Sequence, residues 1–96
     1  MKFYVYILYS QKLDRFYTGN TELEPLKRLE QHNNSFNEKS FTTRGIPWEL
    51  FFIIECISRN QARNIELHIK KMKSKRYIKN LTNYPELPEK LKLRFK

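Results

Sequence analysis

Two short runs of aromatic and β-branched residues near the start of the chain constrain its fold more than any other feature. They are FYVYILY at residues 3–9 and FYTG at residues 16–19. The residues between them, 10–15, are polar except for Leu13. Two strand-forming runs separated by a short polar segment are typical of a β-hairpin. We therefore predict two antiparallel strands here, followed by a helix over residues 21–33.

The alternation of side chains along the predicted hairpin brings several unusual residues together. If the turn has an even number of residues, Tyr4, Tyr6, Tyr17 and Gly19 lie on the same face. A glycine inside a strand lowers its stability, so it more often marks a bulge or the close approach of another group. The pattern thus predicts two phenol hydroxyls next to a position that has no side chain.

The predicted helix carries an arginine and a histidine at helical spacing. Arg28 and His32 are four residues apart and therefore share a face, at a shoulder of the helix. Because proline suits the first helical position, the helix is expected to begin near Pro25, with Leu26 and Leu29 facing the sheet. Phenols beside a guanidinium and an imidazole could bind a phosphate, but spacing alone favours an ordinary solvated helix face.

The second half of the chain predicts one more strand and two more helices. The apolar run LFFII within residues 48–57 is too continuous for one wet face, so this strand is expected to be central or covered on both sides. Ser58, with Gln61 three residues later, predicts the start of a helix. A short third helix is expected around Ile78. Residues 84–96 form a predicted tail, in which alternating apolar residues suit an extra strand.

The apolar stripe of the second helix consists of Ala62, Ile65, Ile69 and Met72.

One carboxylate, that of Glu66, borders this apolar stripe. A carboxylate at such a position needs a cation or a hydrogen-bond donor, because leaving it desolvated and alone would cost on the order of several kcal/mol. Lys70, four residues on, would form a salt bridge that contributes only ~0.3 to 0.5 kcal/mol. The other possible partner is a divalent metal.

The charge of the chain points to a polyanionic partner. Its 96 residues include nineteen Lys and Arg against ten Asp and Glu, a net charge of +9. Nucleic acid is therefore the leading expected partner, with a generic basic surface as the plain alternative. The predicted loop over residues 33–45 and the basic run over residues 70–76 suit phosphate contacts. The expected contact residues are Thr42, Arg44, Lys70, Lys71, Lys73, Lys75 and Arg76.

The composition argues against several other classes of protein. A lone cysteine, Cys56, and two distant histidines do not supply the four ligands of a zinc site. The apolar start is too short, and too quickly followed by Gln11 and Lys12, to be a signal peptide or a membrane segment. We therefore expect a single folded domain in the cytoplasm, without a membrane partner.

Several separated motifs, taken together, resemble the GIY-YIG nuclease family and in particular its small stand-alone bacterial members. They are YVY at residues 4–6, YTG at residues 17–19 and RLEQHN at residues 28–33, in this order. Further matches are FTTRGIPWEL at residues 41–50 and the helical segment over residues 62–73. The resemblance extends over roughly residues 2–81.

This resemblance implies a fold as well as an activity. The expected α+β fold has a small three-stranded, mainly antiparallel sheet flanked by about three helices, over residues 1–83, with residues 84–96 as a tail. Two other roles are left open. The chain could be a nucleic-acid-binding module that keeps the fold with weak or no turnover, or its basic face could bind an acidic protein.

The resemblance further implies a Mg²⁺-dependent (or Mn²⁺-dependent) endonuclease that hydrolyses DNA in repair or recombination, with RNA left open as a substrate. Tyr6 or Tyr17 would orient and deprotonate the attacking water. Arg28 would hold the scissile phosphate, His32 would assist proton transfer or bind phosphate, and Glu66 would carry one metal ion. A free phenol titrates near 10, so a tyrosine base needs nearby positive charge to act at neutral pH.

Overall fold

Strand β1, Phe3–Ser10, is the centre of a three-stranded antiparallel sheet in the order β2-β1-β3. The computed structural model describes residues 2–34 and 41–96. The other two strands are β2, Arg15–Thr21, and β3, Trp48–Cys56. The helices in the described residues are α1, Pro25–Asn33; α2, Phe41–Arg44; α3, Arg59–Met72; α4, Lys75–Asn83; and α5, Glu86–Arg94. The expected α+β fold with an antiparallel sheet is confirmed.

The predicted grouping of the tyrosines on one face requires a hairpin turn with an even number of residues. Ser10 pairs with Arg15 across a four-residue turn, so the turn is even. Tyr6 pairs with Gly19, and Leu8 pairs with Tyr17. Residues paired across antiparallel strands share a face, so Tyr6, Tyr17 and Gly19 lie on one side of the sheet, as predicted.

The two faces of the sheet are buried under different helices. On the first face, Val5, Ile7 and Ile54 join residues of α3, α4 and α5 in the larger core. On the second face, Tyr6, Leu8 and Trp48 form a smaller core with Leu29 of α1. The side chain of Asn33 fixes α1 here, since it accepts a hydrogen bond from the backbone of Trp48 at 2.7 Å and donates one back at 3.0 Å. Polar side chains of α1 can therefore reach the second face of the sheet.

Of the two alternatives predicted for the third strand, the central position was wrong, because β3 is at the sheet edge. Its continuous apolar run has another cause. Ile7 pairs with Phe52 and Leu8 pairs with Leu50, so Phe51 is an extra residue at a bulge. A bulge changes the phase of the side-chain alternation. Apolar residues for the two faces therefore follow one another without a polar residue between them.

Helix α1 begins at Pro25 as predicted, but it presents a different face to the sheet. Pro25, Leu29 and His32 are the residues turned inward, with Leu29 packed against the second-face core and the other two buried. Leu26 is 60% exposed. At 100° of rotation per residue, a helix that buries positions 25, 29 and 32 turns position 26 away. His32 consequently lies inside the protein and not at a shoulder.

Two segments that were predicted to lack helix contain one. Residues 41–44 form α2, while residues 35–40 of the same predicted loop lie outside the described part of the chain. The predicted tail forms α5, which packs against α3 and α4. The residues that pack against the larger core are Leu87, Leu91 and Phe95, at a helical spacing of four, and Pro88 is buried as well. This spacing outweighs the alternation that suggested a strand.

The remaining expectations about the helices are largely met. Ser58 caps α3 by accepting a hydrogen bond from the backbone of Gln61 at 3.1 Å. Ile65 and Ile69 are buried as predicted, but Met72, the last residue of α3, is exposed. None of the helices in residues 2–34 and 41–96 is long and apolar enough to cross a membrane.

We expect Gly19→Ala to lower the free energy of unfolding by about 1 to 3 kcal/mol, the usual range for overpacking. Gly19 has no positive φ, so the need for glycine here is a matter of space. A Cβ atom at this position would lie 2.5 Å from the hydroxyl oxygen and 2.6 Å from the Cζ atom of Tyr6. Urea unfolding of the two proteins measures the loss.

The control is the same substitution in a Tyr6→Leu background, where the ring is absent. There the change should be neutral or slightly stabilising, because alanine restricts the unfolded chain more than glycine does. Equal losses in both backgrounds would show that the Tyr6 ring is not the reason for the glycine.

Candidate functional site

The hydroxyl of Tyr6 is the centre of a buried hydrogen-bonded group. Tyr6 is only 1% exposed, and its ring crosses the bare backbone at Gly19. Its hydroxyl oxygen lies 2.9 Å from Nε2 of His32, and Nε of Arg28 donates to the same oxygen at 3.3 Å. Three of the sequence-predicted site residues, Tyr6 from β1 and Arg28 and His32 from α1, are thus brought into direct contact.

Burial keeps the imidazole of this group neutral. His32 is 6% exposed, and burial, together with the positive charge of Arg28, lowers its pKa from 6.5 to about 4. Since Arg28 donates to the Tyr6 oxygen, both contacts are satisfied when the Tyr6 hydroxyl donates to Nε2 of a neutral imidazole that carries its hydrogen on Nδ1. Burial also raises the pKa of Tyr6, against the opposing effect of Arg28. At neutral pH, Tyr6 therefore keeps its proton.

The second tyrosine, Tyr17, lies beside this group with its hydroxyl available. Its ring centroid is 5.1 Å from that of His32 and 6.4 Å from that of Tyr6. Tyr17 is half-buried, and within the described residues its hydroxyl makes no hydrogen bond. The ammonium of Lys70 lies 5.8 Å from the centroid of the ring. Tyr17 can therefore offer its hydroxyl to a water or a phosphate next to positive charge.

Arg28 is held at one end of its guanidinium and open at the other. Its Nη1 donates to Oε1 of Gln31 at 2.7 Å, while its Nε contacts Tyr6. The side chain is half-exposed, so the planar group borders solvent beside the tyrosine hydroxyls. A guanidinium positioned in this way can bind an oxyanion while it stays connected to the buried group.

Glu66 belongs to α3, on the opposite side of the sheet, but its carboxylate reaches the edge strand β2. There the side-chain amide of Asn20 donates to Oε1, and the ammonium of Lys70 contacts Oε2. The negative charge of Glu66 also contributes to raising the pKa of Tyr6, after burial and the charge of Tyr17. The carboxylate is therefore close enough to affect the pKa of Tyr6. Lys70 contacts both this carboxylate and the ring of Tyr17.

A metal ion would have one carboxylate to bind here. In the part of the chain that the structure describes, no three His, Cys, Asp or Glu side chains gather into a metal-binding group. Mg²⁺ needs no such group, since it keeps several waters and takes phosphate oxygens as ligands. The oxygens of Glu66 are hard ligands of the kind it prefers. The donor set fits a hydrated Mg²⁺ or Mn²⁺, provided that Lys70 leaves Oε2.

Only part of the basic run of the sequence, Lys70, Lys73 and Lys75, lines a common cleft. A cleft of about 460 Å³ lies between β2 and the junction of α3 and α4. Tyr17 lines it, together with the basic residues Arg15, Lys70, Lys73 and Lys75. Lys75 also pairs with Asp14 at 2.9 Å.

The other members of the predicted phosphate-contact set lie elsewhere. Lys71 is near His68, since its positive charge, after burial and the charge of Arg94, lowers the pKa of that histidine. Arg76 is exposed near the start of α4, and Arg44 is exposed at the end of α2. The side chain of Thr42 lies outside the described residues.

Sequence reasoning missed three residues of the site: Asn20, Gln31 and Arg15. Asn20 directly follows the YTG motif and points to the opposite face from Gly19, where Glu66 is reached. Only the position of α3 reveals that contact. Gln31 was within reach of prediction, because it follows Arg28 by three residues on the same helix.

The comparisons with known proteins gave one finding. A family model described as a GIY-YIG catalytic domain matches residues 2–80 of the 96-residue chain. This range runs from β1 into α4 and includes every residue of the tyrosine group as well as Glu66. No curated protein and no solved structure matches the chain.

We expect the stability of the protein to fall between pH 6.5 and pH 4 because of His32. Its pKa in the folded chain, about 4, lies below the ordinary value of 6.5. Between these values the unfolded chain binds the proton more tightly, so stability is fully present above pH 6.5 and is lost as the pH falls toward 4. The contribution is about 1 to 3 kcal/mol.

Urea unfolding at several pH values, with the wild type compared with His32→Gln, isolates this contribution. Glutamine can still hydrogen-bond the Tyr6 hydroxyl but does not titrate. His68→Gln is the matched control, since burial lowers the pKa of His68 at a less buried position. A wild-type curve parallel to that of His32→Gln over this range would contradict the assignment.

Proposed function

The chain belongs to the GIY-YIG family, and from this premise we propose that it is a Mg²⁺- or Mn²⁺-dependent endonuclease that hydrolyses phosphodiester bonds in DNA. The family is of nuclease type, its substrates are nucleic acids, and its nucleases generally depend on a divalent metal. The observation that carries the proposal is the hydrogen-bonded group of Arg28, Tyr6 and His32, which lies beside the open hydroxyl of Tyr17. A network used only for packing would not need a half-exposed guanidinium at its border.

In this proposal Arg28 holds the scissile phosphate. Its contacts with Tyr6 and Gln31 fix the plane of the guanidinium before the substrate arrives, so little side-chain entropy is lost on binding. Its charge also neutralises the phosphate as negative charge develops on the phosphate oxygens. Arg28 is then a preorganised electrostatic element of the site.

Tyr17 is the better of the two candidates for the residue that orients and deprotonates the attacking water. The hydroxyl of Tyr6 is already engaged by Arg28 and His32, and burial raises its pKa. The hydroxyl of Tyr17 has no such engagement in the described residues, and the ammonium of Lys70 lies over its ring. A hydroxyl without a hydrogen-bond partner in the described residues can bind and orient a water beside the phosphate that Arg28 holds.

Tyr6 and His32 act as a positioning pair in the same proposal. A neutral His32 accepts the hydrogen of the Tyr6 hydroxyl, which leaves the hydroxyl oxygen directed at Arg28. The pair can also pass a proton, because the phenol and the imidazole are in direct contact at 2.9 Å. The second role assigned to His32 on the sequence, direct phosphate binding, suits its burial less well.

Glu66 would hold the divalent cation at the edge of β2. A cation bound there supplies charge neutralisation at the phosphate and at the leaving oxygen. Asn20 would keep the carboxylate turned toward the strand edge through its amide hydrogen bond. The remaining ligands would be waters and phosphate oxygens.

The nucleic-acid strand is proposed to pass through the basic cleft beside Tyr17. Arg15 and Lys73 line this cleft and form no ion pair within the described part of the chain. Cations without an anionic partner are available to phosphates, and the resulting affinity depends strongly on salt. Lys71 and Arg76 belong to the same sequence run but do not line the cleft.

A second candidate function is a nucleic-acid-binding module without useful turnover. The observation that favours it is the state of Glu66, since both of its oxygens already have partners, Asn20 and Lys70. A carboxylate with such partners is stable without a metal ion. The same fold and basic cleft would then serve binding alone.

We expect the protein to nick supercoiled plasmid DNA only when Mg²⁺ or Mn²⁺ is present. Tyr17→Phe and Glu66→Gln should each reduce the rate by about 100-fold or more, the usual contribution of a proton-transfer or metal-binding group. Tyr84→Phe and Glu55→Gln are matched controls, since Tyr84 is exposed just after α4 and Glu55 pairs with Lys2, and neither residue lines the cleft.

Nicking that persists in EDTA, or that survives both site substitutions, would refute the proposed mechanism. Tight, salt-sensitive binding without nicking in any metal would favour the binding module. Branched, nicked and plain duplex substrates, tested in parallel with RNA, would then show which nucleic acid the protein prefers.

We expect substitutions in the cleft to change the salt dependence of DNA binding selectively. Lys73→Gln and Arg15→Gln should each reduce the slope of log K against log salt by about one. Lys71→Gln, the matched control from the same basic run, should change it by less than about half as much. Fluorescence anisotropy with a duplex in EDTA measures the slopes, and equal changes for all three variants would contradict a defined path.

A further inference from the structure

Lys70 occupies the position on Glu66 that a metal ion would need. Its ammonium contacts Oε2, while the amide of Asn20 contacts Oε1. The Glu66 side chain is only 11% exposed, whereas that of Lys70 is 46% exposed. The carboxylate is therefore enclosed by a neutral donor on one oxygen and a removable cation on the other.

We propose that Lys70 is a built-in counter-cation, which pairs with Glu66 in the metal-free protein and competes with the divalent cation for the same carboxylate. The proposal rests on the proposed metal-binding role of Glu66 and extends it. It assigns Lys70 as a positioning residue that sets how readily the site takes up its metal.

A counter-cation is needed because the carboxylate is buried. A buried carboxylate without a partner destabilises the folded chain, since it loses its hydration without compensation. The hydrogen bond from Asn20 is to a neutral amide and leaves the negative charge uncompensated. Lys70 supplies the missing charge from one turn further along α3.

The surroundings of Lys70 allow it to withdraw. It lines the basic cleft, which at about 460 Å³ has room for its ammonium, and it lies over the ring of Tyr17. Lysine holds its charge on a flexible four-carbon stem, and an ammonium in a cleft open to water regains its hydration. A divalent cation brings twice the charge to the same oxygen, so it can displace the ammonium without disturbing Asn20.

The test is direct measurement of Mn²⁺ binding to the full chain by titration calorimetry, without nucleic acid. Lys70→Met should bind Mn²⁺ at least about fivefold more tightly than the wild type, because the competing cation is gone. Lys73→Met removes the same charge from the same cleft but leaves the ion pair intact. It should stay within about twofold of the wild type.

Thermal unfolding gives a second readout on the same proteins. Without metal, Lys70→Met should melt at a lower temperature than Lys73→Met, and saturating Mn²⁺ should recover most of the difference. If Lys70→Met fails to fold, Lys70→Arg provides the test of Mn²⁺ binding instead. Arginine binds a carboxylate more firmly than lysine, so this variant should bind Mn²⁺ more weakly than the wild type.

Other outcomes would overturn the proposal. Equal tightening in Lys70→Met and Lys73→Met would show a general effect of charge, and weaker binding in Lys70→Met would make Lys70 an aid to the metal. Failure of the proposed metal site has its own signature, namely wild-type Mn²⁺ binding that is absent or is unaffected by Glu66→Gln. In that case the competition has no site and this inference fails as well.

Discussion

The contact between the ring of Tyr6 and the bare backbone at Gly19 is the constraint on which the rest of the site depends. The ring can cross the neighbouring strand only because that strand has no Cβ atom at this point. This crossing brings the hydroxyl from the middle of the sheet to the imidazole of His32 and the guanidinium of Arg28. Gly19 itself takes no part in the proposed reaction; it matters because it determines where the Tyr6 hydroxyl can lie.

The edge position of β2 explains how residues from both faces of the sheet can act together. Tyr6 and Tyr17 project from the second face, whereas α3 packs on the first. At an edge strand, a glutamate on α3 can reach Asn20 and remain close enough to influence the pKa of Tyr6. The topology β2-β1-β3 is therefore part of the site as much as of the fold.

The sequence predicted those features that depend on local spacing. The even turn placed Tyr6, Tyr17 and Gly19 on one face, and helical spacing placed Arg28 beside His32. Features that depend on packing between distant segments were missed. The bulge in β3 could not be read from the apolar run of that strand, and the burial of His32 depends on how α1 packs against the smaller core. The predicted tail is helical, and α5 packs its apolar residues against α3 and α4. No local pattern near residue 20 indicates a partner 46 residues away.

The charge balance of the site follows from how its groups are buried. A histidine with a pKa near 4 carries no charge at neutral pH, and a phenol with a raised pKa keeps its proton. Beside the tyrosines, the charges of Lys70 and Glu66 compensate each other, whereas Arg15 and Lys73 in the cleft form no ion pair within the described residues. In the described part of the chain, the guanidinium of Arg28 has no carboxylate partner either, and it faces the position proposed for the phosphate. In the proposed function, recruitment of an anionic strand is thereby separated from the titration of His32, and we expect it to depend on salt more than on pH.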